Sequence, residues 1–212
     1  MIRATVFSAS PLMRVAEDAR DRIPPSQSDV DPGQRDAWVA VVFATAAVEA
    51  FLNDLTEHVD VAAKSTHDPD LALLAKVLTD LERRRANAEL KLDFLQLVIT
   101  REAPKPGQPL QQEFAGLVKL RDQIIHAKPD KSLAWTLDGE DIAEEHNLRR
   151  QLQAWRLVGP ERAVFTEEAA TRATARWACR VARERVASIK PLLATGVYSK
   201  YFDPVFQGFV SE

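Results

Sequence analysis

Apolar residues recur at helical spacing along most of this chain. From about residue 36 to Lys64 the buried-type positions follow alternating steps of three and four, which places them on one helical face: Trp38, Val41, Thr45, Val48, Leu52, Leu55, Val59 and Ala62. Similar stripes predict helices from about 69 to 99, 110 to 128, 141 to 157 and 166 to 193. We therefore expect an all-α fold, an up-and-down bundle of four or five long helices.

Capping and breaking residues set the expected ends of these helices. Asp68-Pro69 predicts a helix start, and a charged break near 84–87 leaves open whether residues 69–99 form one helix or two. Prolines and a glycine between residues 101 and 109 exclude a helix there, and Thr166 is the expected cap of the last helix. Residues 133–137 could form a short extended piece.

Three regions follow from this pattern. Residues 1–35 form an N-terminal helix, starting at Ser10-Pro11, and a polar linker; residues 36–195 form the helical domain. Residues 196–212 form an aromatic tail, which we expect to pack on the domain or on a partner subunit because dense aromatic residues bury large areas.

Composition narrows the class of protein. With 212 residues, of which 46% are hydrophobic, the chain can bury a core within one domain. The single cysteine, Cys179, excludes an internal disulfide and reads as a small core residue. No signal peptide is evident, and no apolar run approaches the roughly 20 residues of a membrane helix. We expect a cytoplasmic protein that does not enter a membrane.

The segment before Pro129 carries the candidate chemistry. Arg121 has only apolar residues three and four positions away, so its guanidinium must be paired inside the fold or line a cleft or subunit interface. His126 falls in the expected last turn of the same helix, four residues after Asp122. Arg121 and His126 differ by about 140° of helical rotation, so one helix cannot clamp a ligand between them. A groove beside a second helix, or between two copies, could receive both.

This segment resembles the signature of the HEPN superfamily, which contains all-helical, often dimeric, metal-independent ribonucleases and non-catalytic relatives. The resemblance is carried by Arg121-Asp122 with His126 five positions on, by Leu117 and Leu120 before them, and by Ala-Lys-Pro after the histidine. An upstream helix adds Ala47-Val48-Glu49-Ala50-Phe51-Leu52-Asn53, and the likeness spans about residues 36–195.

The resemblance implies roles for these residues. His126 would be the acid or base, Arg121 the phosphate clamp, and Asp122 a residue that orients one of them, with two copies meeting across a dimer. Cleavage by the 2′-hydroxyl would leave a 2′,3′-cyclic phosphate and a 5′-hydroxyl. Glu49 and Asn53 would support the site. Alternatively, Glu49 and Asn53 are ordinary solvated polar residues, or Glu49 pairs with Arg121 only to stabilise the fold.

A basic stripe offers a second candidate surface. Arg172, Arg176 and Arg180 lie four residues apart on the last helix, and residues 149–190 contain ten basic and four acidic side chains. The stripe is either ordinary surface charge or a face that binds RNA phosphates.

Other chemistries lack their motifs. The four histidines are scattered, so no metal site is expected, and there is neither a glycine-rich phosphate loop nor a nucleophile elbow. We expect no cofactor.

Two functions stay open. The first is a HEPN-like endoribonuclease, a toxin or defence component that acts as a homodimer on RNA. The second is a non-catalytic module that binds a nucleotide, RNA or a protein. An antitoxin or regulatory protein is a further expected partner, although Lys128 stands where toxins controlled by a nucleotidyltransferase carry tyrosine.

Overall fold

The computed structural model describes residues 8–24, 35–105, 107–126, 139–158 and 168–193, together with Phe206 and Phe209. For residues 139–146 it describes the backbone alone. Every regular element in these residues is helical, so the all-α prediction is confirmed. The elements are α1 (Ala9–Arg22), α2 (Arg35–Thr66), α3 (Pro69–Arg83), α4 (Ala88–Thr100), α5 (Pro109–Ile125), α6 (Gly139–Ala154), α7 (Arg172–Ala187) and the single turn α8 (Lys190–Leu193).

The bundle is built around α2. This 32-residue helix packs against α1, α3, α4, α5 and α7, and its core-facing side chains include Val48, Phe51 and Leu55. Contrary to the sequence-based expectation, α2 is long and apolar enough to cross a membrane by length and composition. However, 56% of its most apolar window is buried in the bundle, as in the core helix of a soluble protein.

Helices α3 and α4 form a hairpin, which resolves the alternative left open for residues 69–99. The Asp68 carboxylate accepts hydrogen bonds from the N–H groups of Asp70 and Leu71, and Pro69 occupies the first turn. The chain reverses at Arg85, which has a left-handed φ of 55°, and Asn87 caps α4 through a hydrogen bond from the Leu90 N–H. The charged break near 84–87 is therefore a true helix boundary.

Helix α1 is capped by a residue of another helix. Ser8, not Ser10, is the N-cap, and it makes no side-chain cap bond of its own. Instead the buried Asp54 of α2 accepts hydrogen bonds from the N–H groups of Ser8 (2.9 Å) and Ala9 (3.1 Å) and from the Ser8 hydroxyl (3.0 Å). The start of α1 is thus set by a partner 46 residues away, which local sequence signals cannot reveal.

The predicted last long helix is interrupted. A continuous helix from Thr166 to about 193 does not form, because the described chain turns at residues 169–171 and α7 begins at Arg172. Thr171 is its cap and accepts a hydrogen bond from the Thr174 N–H; Thr166 itself lies outside the described residues.

Aromatic residues close the core at two places. Gly116 of α5 lies against the Trp155 ring, which stacks on Trp177 of α7 at 5.6 Å between centroids. Of the C-terminal tail, Phe206 and Phe209 are buried against Phe51, and Arg183 donates a hydrogen bond to the Phe209 carbonyl (2.6 Å). The 133–137 segment, predicted to be extended, lies outside the described residues.

Candidate functional site

Arg121 lies at the α2–α5 seam. Phe114, Leu117 and Leu120 bury one face of α5, and Arg121 extends from the edge of that face. Its Nη2 donates to a Glu49 carboxylate oxygen on α2, and its Nη1 lies 3.3 Å from the Asp122 carboxylate. The Arg121 side chain is 21% exposed, and its buried Nε has no hydrogen-bond partner among the described residues. The guanidinium is therefore paired within the subunit but still reachable from solvent.

His126 is the C-cap residue of α5. Its backbone N–H donates to the Asp122 carbonyl (2.9 Å), and its side chain is exposed. In the part of the chain that the structure describes, no hydrogen bond joins its imidazole to Arg121. The rotation of about 140° between these two positions stays a prediction from helix geometry.

Asn53 is separated from the arginine that Glu49 binds. It lies one turn further along α2, exposed, and its amide oxygen is 3.5 Å from the Lys91 ammonium on α4. Lys91 also pairs with Glu82 at the end of α3. The two predicted supporting residues therefore contact different cations, one on α5 and one on α4.

Sequence reasoning missed Lys91, although a signal exists. Lys91 is 9% exposed and occupies the same helical face of α4 as Ala88, Leu92 and Leu95. A cation on an apolar face requires a partner, because burying an unpaired ammonium is too costly. Glu82 and Asn53 supply that partner.

A second set of charged residues joins α4, α5 and α7 beside the site. Buried Arg185 of α7 lies 3.6 Å from the Asp93 carboxylate, and burial lowers the pKa of this arginine. Burial also raises the pKa of Asp93 and of Glu89, although Lys119 and Arg185 favour the charged form of Glu89. The negative charge of Asp122 on α5 has the opposite effect and raises the pKa of Glu89 on α4.

One arginine of the predicted basic stripe is paired with acids. Exposed Arg180 donates to Glu113 of α5 (2.7 Å) and to Glu184 (2.7 Å). Arg172 is half-buried and Arg176 is exposed. Both arginines lower the pKa of Asp21, although the main cause of that lowering is a hydrogen bond from Arg20. The three arginines lie on one helix as predicted, but their charge is partly neutralised.

Neither a thiol site nor a metal site emerges from the described residues. Burial raises the pKa of the Cys179 thiol to about 12, so it stays protonated and unreactive at neutral pH. Among the residues with described side chains, no three His, Cys, Asp or Glu side chains are grouped to hold a metal ion.

The arrangement offers a cation held by two carboxylates and, nearby on the same helix, an exposed imidazole. Such a pair suits phosphate binding and proton transfer, or a stable ion pair at a helix seam. No protein-family model, curated protein or solved structure matches this chain.

Proposed function

We propose that this protein is a cytoplasmic, metal-independent endoribonuclease of the HEPN type, acting as a homodimer on RNA in toxin or defence biology. The observation that carries the proposal is the position of Arg121, which is partly exposed and held by carboxylates from α2 and α5 on the helix that ends at exposed His126. An arginine that served only the core would need no route to solvent.

The chemistry needs only these side chains and the RNA. The ribose 2′-oxygen attacks the phosphorus, the P–O5′ bond breaks, the 2′-hydroxyl proton passes to a base, and the departing 5′-oxygen receives a proton. His126 is suited to one of these transfers because imidazole titrates near neutral pH. A guanidinium has five N–H donors, and the contacts to Glu49 and Asp122 leave one free on each terminal nitrogen for a phosphate oxygen.

Two copies would complete the site. Five residues of helix correspond to about 140° of rotation, so Arg121 and His126 would not face each other within one subunit. In a two-fold dimer, the arginine of one copy and the histidine of the other can line the same groove. Asp122 and Glu49 would hold the guanidinium in place, while Arg172, Arg176 and Arg180 would contact RNA outside the cleavage site.

A cleavage assay tests the proposal. A short labelled RNA is incubated with the protein in EDTA, and the products are analysed for a 2′,3′-cyclic phosphate and a 5′-hydroxyl. We expect wild type to cleave and Arg121→Ala and His126→Ala to lose about 100-fold or more of the rate. Arg83→Ala, which removes an exposed arginine of α3, and His67→Asn, whose left-handed φ of 57° suits asparagine, are matched controls that should cleave normally. Equal rates in wild type and both site variants would refute the assignment.

A non-catalytic HEPN-like binding module is the second candidate. It is favoured by the Arg121–Glu49 pair, which balances the charge of the guanidinium without any ligand. In that case the chain would bind RNA, a nucleotide or a protein without cleaving RNA. If the protein binds RNA, forms no cyclic-phosphate product, and binds RNA more weakly after Arg121→Ala, it is a non-catalytic RNA-binding module.

A further inference from the structure

The α3–α4 hairpin presents an apolar face on the side away from the core. Leu90, Phe94 and Leu97 follow one another at spacings of four and three along α4, and they are 43%, 37% and 38% exposed. They lie opposite the buried row that includes Leu92 and Leu95. A surface helix normally carries polar residues there, so this stripe has no explanation in the packing of the described bundle.

Helix α3 extends the face. Arg101 at the end of α4 pairs with Asp70 at the start of α3 (2.8 Å), which shows that the two helices run antiparallel. One turn from this ion pair in the same direction lie Leu97 on α4 and Leu73 on α3, and Leu73 is 41% exposed. The apolar face therefore spans both helices.

The other end of the face carries two arginines, unpaired among the described residues, beside the ion pairs Arg83–Asp80 and Lys91–Glu82. Arg84 continues the row of Leu73 and Val77 on α3, and Arg85 forms the turn that leads into α4. Both arginines are exposed, and in the described residues neither side chain makes a hydrogen bond or an ion pair. Two free cations thus stand beside Leu90 in the first turn of α4.

The charges argue against a second copy as the occupant. If α4 packed antiparallel to its own copy around Phe94, Arg84 and Arg85 would meet the end that carries Arg101, Asp70, Glu102 and Lys105, whose formal charges sum to zero. In a parallel arrangement Arg84 and Arg85 would face the same two arginines of the other copy. Neither symmetric arrangement gives the two cations a net negative partner.

We propose that this face binds an amphipathic helix of a different protein, with acidic residues at one end. The apolar side of that helix would lie along Leu73, Leu90, Phe94 and Leu97, and its acidic end would contact Arg84 and Arg85. A single added helix covers the two-helix face, and its length need only match the 13 residues of α4. The proposal does not depend on whether Arg121 and His126 cleave RNA.

The probe is a pair of synthetic helical peptides of about 14 residues, long enough to span α4. Both carry a leucine stripe at helical spacing; one ends in three glutamates and the other in three lysines at the same positions. Binding to the full chain is followed by fluorescence anisotropy. We expect the glutamate peptide to bind at least about tenfold more tightly, with a preference that shrinks as salt is added.

Variants assign the binding to the face. Phe94→Asp should weaken binding of the glutamate peptide by about tenfold or more. Leu90→Glu serves as a second test if Phe94→Asp lowers the melting temperature. Arg84→Glu with Arg85→Asn should reverse the preference toward the lysine peptide. Lys76→Glu, a charge reversal in the groove between α2 and α3, about two helical turns before Arg84, should leave the preference intact.

Three results would overturn the proposal. The first is equal affinity for the two peptides, or binding that is insensitive to Phe94→Asp in a folded protein. The second is self-association in sedimentation experiments that Phe94→Asp abolishes, which would make a second copy the occupant. The third is Phe94-dependent binding to phosphatidylserine vesicles that exceeds binding to the glutamate peptide, which would make the face a membrane-contact surface.

Discussion

Arg121 of α5 and Glu49 of α2 form an ion pair across 72 residues of sequence. The arginine side chain is 21% exposed and the glutamate side chain 42%, so the pair lies at the surface edge of the helix seam. Asp122 adds a second carboxylate beside the guanidinium. This pair links the two helices and orients the guanidinium.

The strength of that pair is measurable in a double-mutant cycle of Glu49→Ala and Arg121→Ala. Because both groups are partly exposed, we expect a coupling free energy of about 0.5–1 kcal/mol from denaturant unfolding, decreasing as salt is added. Exposed Glu57→Ala on α2 combined with Arg121→Ala should show no coupling. A coupling energy of zero for the Glu49 pair would contradict its role in stabilising the contact between α2 and α5.

Asp54 should be one of the most sensitive polar positions for stability. It accepts three hydrogen bonds at the N-terminal end of α1 while buried at 7% exposure. Asp54→Ala leaves these donors without a partner, so we expect a loss of about 1–3 kcal/mol in the free energy of unfolding. Asp54→Asn, which retains an acceptor oxygen but loses the charge, should cost less. A neutral effect of Asp54→Ala would contradict this capping role.

Gly116→Ala should destabilise the protein even though alanine is the better helix former. A Cβ at this position would lie 2.7 and 2.8 Å from two Trp155 ring carbons. The helix propensity gain of about 0.5–1 kcal/mol is smaller than the overpacking cost of about 1–3 kcal/mol, so the net effect is a loss. Trp155→Leu, which removes the ring, should make Gly116→Ala neutral or favourable. A Gly116→Ala protein that melts higher than wild type would show that the ring moves away freely.

Glu89→Gln should stabilise the protein at neutral pH. Burial raises the pKa of Glu89 in the folded state, so its charged form costs stability at pH values above that raised pKa. The cost decreases as the pH falls through the folded pKa and is gone below the ordinary glutamate value of 4.5, where the group is protonated in both states. The melting temperature should therefore rise by a few degrees or less at pH 7 and be unchanged at pH 4. Exposed Glu102→Gln is the control, and a gain that persists at pH 4 would contradict the account.

Local sequence signals predicted the elements that local physics determines. Asp68-Pro69 starts α3 as expected, because a cap and an N-terminal proline act within one turn. The same signals misplaced the start of α1, since Ser10 resembles a cap as well as Ser8 does, and they missed the break before α7. For α1, Asp54 decides the start, and only the folded bundle brings it there.

The candidate site shows the same division. The resemblance at Arg121 and His126 could be read from the sequence, and so could the two alternatives for Glu49. Lys91 and Arg185 could not be assigned partners, because a cation on an apolar helical face says only that some carboxylate must meet it. Which carboxylate it is depends on how α3, α4 and α7 pack together.

The most direct test of the central claim is the cleavage rate of an equimolar mixture of the Arg121→Ala and His126→Ala proteins, refolded together and assayed on RNA in EDTA. If each site takes its arginine from one subunit and its histidine from the other, half of the dimers are mixed and each contains one intact site. The mixture should then recover about a quarter of the wild-type rate, although each variant alone is inactive. A mixture no faster than either variant, beside a cleaving wild-type dimer, would contradict a site shared between subunits; a wild type that does not cleave would contradict the nuclease itself.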